Sequence, residues 1–191
     1  MELQPSLTVE EMLEDLPQAC NVGTKRNAKG HRQSWVGCKF HRDVIDGGIP
    51  VSGVLTSASG RDSQVAIPLA TMTAGVVTSL HDMMDSAYDA KEIRAHSERL
   101  GHVPLIDVNP RHDKELQAEL EREALALRSI GQGTPERVRY RERQAVERVN
   151  GRLKDEFGGR NVRVRGHAKV HCHLLFGLLA LTVDQLLRLA L

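Results

Sequence analysis

Three extended segments crowd into the first third of the chain, and their punctuation limits what can follow. Cys20 to Lys25 reads as a first strand, closed by the polar turn Arg26 to Gly30. Trp35 to Val44 alternates well enough for a second strand. Asp46-Gly47-Gly48 supplies a hairpin turn, since glycine reaches the positive φ that such turns need. Ile49 to Ser57 is a third strand, rich in β-branched residues. Helix and strand patterns then alternate. A helix that Asp62 can cap runs through Ile67 and Leu69 towards Ala74, and Ser79 to Met84 reads as a fourth strand. Lys91 to Leu100 is a helix, Pro104 to Val108 a fifth strand, and His112 to Ser129 a charged helical stretch. A Gly-rich break at Gly131 to Pro135 precedes another helix, which the Gly158-Gly159 turn ends. Near the N-terminus Thr8 caps a short helix with Glu11 at the capping-box position, and Pro17 stops it. The order is that of an α/β chain.

At 191 residues the chain is one domain of ordinary size, long enough to bury a core. Its net charge is +1, but the charge is unevenly spread. Residues 1–19 hold five acids (Glu2, Glu10, Glu11, Glu14, Asp15) and no Lys or Arg. Residues 137–169 hold eleven Lys or Arg against four acids, a net of +7 that suits a polyanion-facing surface, although basic faces are often merely solvated. Cys20, Cys38 and Cys172 are odd in number and widely spaced, which suggests neither a disulfide framework nor a zinc site. His171-Cys172-His173 reads as packing rather than metal binding, because adjacent side chains diverge on a helix. No export leader is visible, and the run Leu174 to Val183 is too short to span a bilayer, so it reads as a buried closing helix of a cytoplasmic protein without a membrane partner.

The string YRERQAVERVNGRLK contains Tyr140, Arg143, Glu147 and Lys154. On an α-helix these four fall within a stripe roughly 60° wide, and Val146, Val149, Leu153 and Phe157 form a core-facing stripe roughly 100° away. The plain reading is a solvated charged face; the functional one is a helix presenting an aromatic, two cations and a carboxylate in a cleft. The string resembles the Tyr-Arg-Glu-Lys signature of DDE-type bacterial insertion-sequence transposases. Trp35-Val-Gly-Cys-Lys-Phe-His41 resembles that family's W-x-G-Y-K-L-H. The run Gly48 to Ser52, continuing to Asp62-Ser63, and the segment Met84-Asp85-Ser-Ala-Tyr88-Asp89 are similar to the two segments that follow it. Together these cover nearly the whole chain from Cys20 onward.

The resemblance implies an RNase H-like fold: a mixed five-stranded sheet flanked by helices over residues 20–191, behind an acidic helical lead-in at 1–19. It implies cleavage of DNA at element ends and strand transfer into target DNA, with two Mg²⁺ or Mn²⁺ ions held by clustered carboxylates. The second and third carboxylates map to Asp85 and Glu147, the expected metal ligands, while the first position is Asn21 where the family has Asp. Asn21, Asp85 and Glu147 should then converge as the catalytic set, and Tyr140, Arg143 and Lys154 should hold DNA. A homodimer is compatible with this reading. Asn21 removes one negative charge, and the lead-in has the wrong sign for DNA. Both point to the alternative of a truncated, inactive remnant that at most binds DNA. A metal-dependent nuclease on the same fold is a third reading. Asp62 suits a helix cap better than a metal ligand, Asp82 and Asp89 suit turns, and Asp107, Asn109 and Arg111 either approach DNA or close a loop at Pro110.

Overall fold

The computed structural model describes residues 6–26, 29–111, 113–130 and 141–191, and it divides into two compact units. Met1–Ser79 and Ala145–Leu191 form one, and Leu80–Gln144 the other.

In the first unit, helix α1 (Val9–Glu14) starts at Thr8. The Thr8 hydroxyl accepts from the Glu11 N–H at 3.3 Å, and the Glu11 carboxylate accepts from the Thr8 N–H at 2.8 Å, the capping box expected from the sequence. Strands β1 (Asn21–Arg26), β2 (Arg32–Ile45) and β3 (Ile49–Ser57) form an antiparallel sheet in that order. The long β2 divides its partners: Arg32 to Gly37 pair with β1, and Cys38 to Ile45 with β3. Between Asp43 and Val44 the register with β3 slips, with Asp43 opposite Ser52 and Val44 opposite Pro50. A bulge suits Pro50, which has no N–H to give the ladder. Between β2 and β3 the chain turns through a 3-10 segment, with Gly47 and Gly48 at φ 77° and 71°.

β3 is the spine of this unit, and it is buried along almost its whole length. Helix α2 (Ser63–Ala74) covers one face, where Val54 packs with Val65 and Leu16, flanked by Leu13, Leu69 and Met72. Two further helices, α5 (Gln144–Asp155) and α6 (His167–Ala190), cover the other with Val149, Leu153, Leu178 and Leu181, joined by Phe40, Val44 and Phe157. Gly53 is required where these layers meet: a Cβ there would lie 2.6 Å from the Phe40 ring and 3.2 Å from Leu178. Gly23 is equally constrained, because Trp35 lies opposite it and its ring covers the space a Cβ would fill, at 2.6 Å. Trp35 is thus an aromatic of the middle strand laid over a glycine of β1.

α6 is longer than its apolar core suggested. At 24 residues it is long and apolar enough, by length and composition, to cross a membrane, contrary to the expectation of a run too short to do so. Its polar side chains tie it to the sheet instead. His167 and His171 donate to the Leu55 and Gly53 carbonyls at 2.8 and 3.2 Å, and Thr182 and Gln185 donate to the Pro50 and Gly47 carbonyls at 3.0 and 2.6 Å. His171 also stands edge-on to Phe40, with ring centroids 6.3 Å apart, as its packing role requires. Nor is α6 buried all round: Leu181 is fully buried, whereas Phe176, Leu179 and Leu187 on the other side are more than half exposed. Arg152 of α5 clasps α6 by pairing with Asp184 and donating to Gln185 at 2.9 Å.

In the second unit, β4 (His81–Met84) and β5 (Val103–Ile106) pair in parallel, joined by helix α3 (Lys91–Arg99), and α4 (Lys114–Ile130) follows. Parallel neighbours need such a crossover, and Ile93 of α3 is buried as it returns the chain. The hydrogen bonding therefore forms a three-stranded antiparallel ladder and a separate two-stranded parallel one, rather than the single five-stranded ladder expected. The four-residue strands β4 and β5 are closed locally by their own crossover helix.

Replacing Leu181 by Ala empties a fully buried position between α6 and β3. It should cost about 2–5 kcal/mol in urea unfolding, whereas Leu179→Ala on the exposed side should change stability by less than about 0.5 kcal/mol.

Candidate active site

Asp85 leaves β4 and opens a 3-10 turn, Ser86–Tyr88. Its backbone is extended, so one carboxylate oxygen can accept the Ala87 N–H at 3.0 Å, as a capping residue does. The other oxygen lies 3.9 Å from Nη1 of Arg143, with the Asp85 side chain 46% and that of Arg143 33% exposed. At that separation and exposure the pair is electrostatically weak and leaves the carboxylate reachable.

The loop carrying Asp85 is anchored by Asp89. Nε and Nη2 of Arg94 donate to one Asp89 oxygen at 3.0 and 2.8 Å, and the Asn109 N–H donates to the other at 2.8 Å. Arg94 also donates to the Ile106 carbonyl, and the Asn109 amide to that of Ser86, both at 3.0 Å. The exit of β5 is thereby stitched to the exit of β4. Burial opposes ionisation of Asp89, but the Asn109 N–H and the Arg94 guanidinium outweigh it and hold the carboxyl below its ordinary range. Asn109 thus closes a loop, the plainer of the two roles its sequence position allowed. Asp82 is spent on His102, whose Nδ1 lies 3.0 Å away with both side chains largely buried.

In the first unit, Asn21 begins β1 opposite Gly37. Its amide oxygen accepts the Val22 N–H at 2.7 Å at an exposed position, so it is already partly engaged. Cys20 and Cys38, which flank this pairing, bring their sulfurs to 3.2 Å. Burial and the Cys20 thiol beside it push the Cys38 thiol up to about 11. Glu147 sits exposed in the first turn of α5, where the helix dipole favours a carboxylate. Lys154, also exposed, is seven residues on, roughly 20° away around the helix.

Of the four-residue stripe expected of the signature string, only Glu147 and Lys154 lie on the described α-helix. The α-helix begins at Gln144, and Arg143 belongs to a preceding 3-10 turn, Arg141–Arg143, whose tighter winding breaks the angular register. Tyr140 lies outside the described residues. By unit, Asp85 and Arg143 belong together, as do Asn21, Glu147 and Lys154. Asp62 occupies the cap position of α2 but makes no capping bond, because its backbone is helical. Its carboxylate instead accepts from Lys39 at 3.0 Å, and Lys39 also donates to the Gly60 carbonyl. Lys39 is followed two residues later by His41, held down to about 4 mainly by burial and set 2.9 Å from the Thr56 hydroxyl.

Among the described residues no three His, Cys, Asp or Glu side chains cluster as a metal site. The expected ligands Asp85 and Glu147 and the Asn21 amide are all hard oxygen donors, the kind Mg²⁺ prefers, so they fit such an ion in donor type and fall one negative charge short of a three-carboxylate set.

Residues 18–183 match the family described as Transposase DDE domain, and the chain belongs to that family. No curated protein and no solved structure matches it.

The Asp89 anchor carries a pH signature. A carboxyl held low in the fold stabilises it above the unfolded pKa of about 3.9, and that contribution is lost as pH falls through the folded value. Asp89→Asn should lower the melting temperature at neutral pH, and the gap from wild type should close progressively below about pH 4 in a thermal unfolding series. A gap independent of pH would mean that the carboxylate charge contributes nothing.

Proposed function

We propose that this chain is the catalytic domain of an insertion-sequence transposase, acting in the cytoplasm on the DNA of element ends and target. The observation that carries the reading is the match to the DDE transposase family over residues 18–183. Residues 20–191 form the catalytic domain, with the RNase H-like fold that the family implies, and residues 1–19 are an acidic lead-in. Asp85 and Glu147 hold divalent metal, Mg²⁺ or Mn²⁺, and Asn21 takes the third position with a neutral oxygen. Two such ions, when bound, activate the attacking oxygen and stabilise the leaving one. Arg143 suits bidentate contact with a phosphate and Lys154 a point-charge contact, with Tyr140 beside them on the DNA. A homodimer is compatible with this reading.

One observation favours a second reading. Asn21 leaves the proposed ligand set one charge short, and its amide oxygen is already partly engaged by the Val22 N–H. A chain in this state is a non-catalytic remnant that at most binds DNA.

Metal affinity separates the two. In the first reading Asn21→Asp returns a negative charge where two dications repel each other, so calorimetry should show clearly tighter Mn²⁺ binding than for wild type. Mn²⁺-dependent nicking of a pre-bound short duplex should rise with it. Equal affinity in both would mean that another carboxylate fills the role, and binding by neither would leave the remnant.

The DNA contacts have their own test. Arg143→Ala or Lys154→Ala should weaken duplex binding and flatten its salt dependence by about one unit of log–log slope per lost phosphate contact. A slope that stays at the wild-type value would leave these residues as solvated surface charges.

A further inference from the structure

Cys20 and Cys38 are 18 residues apart in sequence and were silent as a pair there, yet the fold sets their sulfurs at 3.2 Å. The strand register explains why. Asn21 pairs with Gly37 in the antiparallel ladder, so one step outward brings Cys20 opposite Cys38. Directly opposed residues of antiparallel strands have Cα atoms about 4.5–5.5 Å apart, inside the 4.4–6.8 Å range that a disulfide spans. The sulfurs already face each other, so bond formation needs little backbone movement. Cys20 is exposed and Cys38 partly covered, which leaves one of the two open to a reagent from solvent. Cys172, the remaining cysteine, is exposed on α6.

We propose that Cys20 and Cys38 are a modification site: a reversible dithiol–disulfide pair that a low-molecular-weight disulfide such as oxidised glutathione converts to a cross-strand bond. Cys20 attacks one glutathione sulfur, forming a mixed disulfide and releasing one reduced glutathione. The Cys38 sulfur then attacks Cys20 Sγ, the Cys20–glutathione bond breaks, and the Cys20–Cys38 bond forms as a second glutathione leaves. The two thiol protons of the protein end on the two released glutathiones, and two electrons pass from the protein to the reagent. The product closes the β1–β2 hairpin at its open end, and it should raise resistance to unfolding because it restricts the unfolded chain. None of this depends on a role for Asn21 in metal or DNA binding. In a reducing compartment, where thiols are kept reduced and permanent disulfides are rare, a bond of this kind is transient.

The test uses the full chain, reduced, desalted and incubated with oxidised glutathione, then alkylated and mapped by peptide mass spectrometry. The expected result is a peptide pair joined through Cys20 and Cys38 with two hydrogens lost. It should revert on adding dithiothreitol, and its midpoint of urea unfolding should lie above that of the reduced chain. In Cys38→Ser the second step is impossible, so Cys20 should accumulate as a stable glutathione adduct. If wild-type Cys20 instead carries glutathione as persistently as the variant does, or if Cys20 and Cys38 link only between chains, the proposal is overturned. The wild-type map decides this even if the Ser variant folds poorly.

Discussion

The structure depends on burying β3 on both faces. Its backbone can give up solvent because β2 takes the ladder bonds of one side and His167, His171 and Thr182 of α6 bond further carbonyls, while its side chains divide between two helical layers. Val54 turns to α1 and α2, and Gly53 makes room for Phe40 and Leu178 under α6. A strand in this position must be free of charged side chains, and Ile49 to Ser57 has none. Its polar residues are satisfied locally: Ser52 bonds to Thr73 of α2 at 2.8 Å, and Thr56 to His41 of β2 at 2.9 Å. Burial of that strand is what draws the C-terminal α5 and α6 back to a sheet made far earlier in the chain.

The candidate catalytic carboxylate in the second unit is placed by an equally economical device. Asp85 is exposed enough to meet a ligand, but the turn that presents it is held by Asp89, Arg94 and Asn109 from three separate stretches of chain. Charge-assisted hydrogen bonds of this kind are short and directional, so they hold the loop at the end of β4 against the end of β5. Two aspartates four residues apart thus have opposite tasks. Asp89 spends its oxygens on the protein, while Asp85 keeps one for a weak pairing with Arg143 that a stronger partner can displace.

Membership in the DDE transposase family brings this chain's departures into focus. Asn21 and Cys38 both lie where the resemblance leads one to expect another residue, and the ladder sets them on neighbouring positions of paired strands. Under the proposed mapping, Asn21 and the Cys20–Cys38 pair lie at the same end of the β1–β2 hairpin.

Much of this was determined by sequence alone, wherever the controlling interactions are local. The capping box of Thr8 and Glu11, the glycine turn at Asp46 to Gly48, the bounds of β3 and the buried stripe of Val149 and Leu153 follow from spacing, because each rests on residues within a few positions of one another. Family membership was legible for the same reason, since the resemblance rests largely on short strings. Tertiary structure decided what depends on partners distant in sequence. Asp62 gave its carboxylate to Lys39 of β2 instead of the cap, Arg143 fell into a 3-10 turn beside Asp85, and Asn109 closed a loop. The ladder brought Cys20 to Cys38, and the sheet claimed one side of an apolar helix while leaving the other open. Spacing along a chain reports which side chains share a face, whereas only the packed fold determines what that face meets.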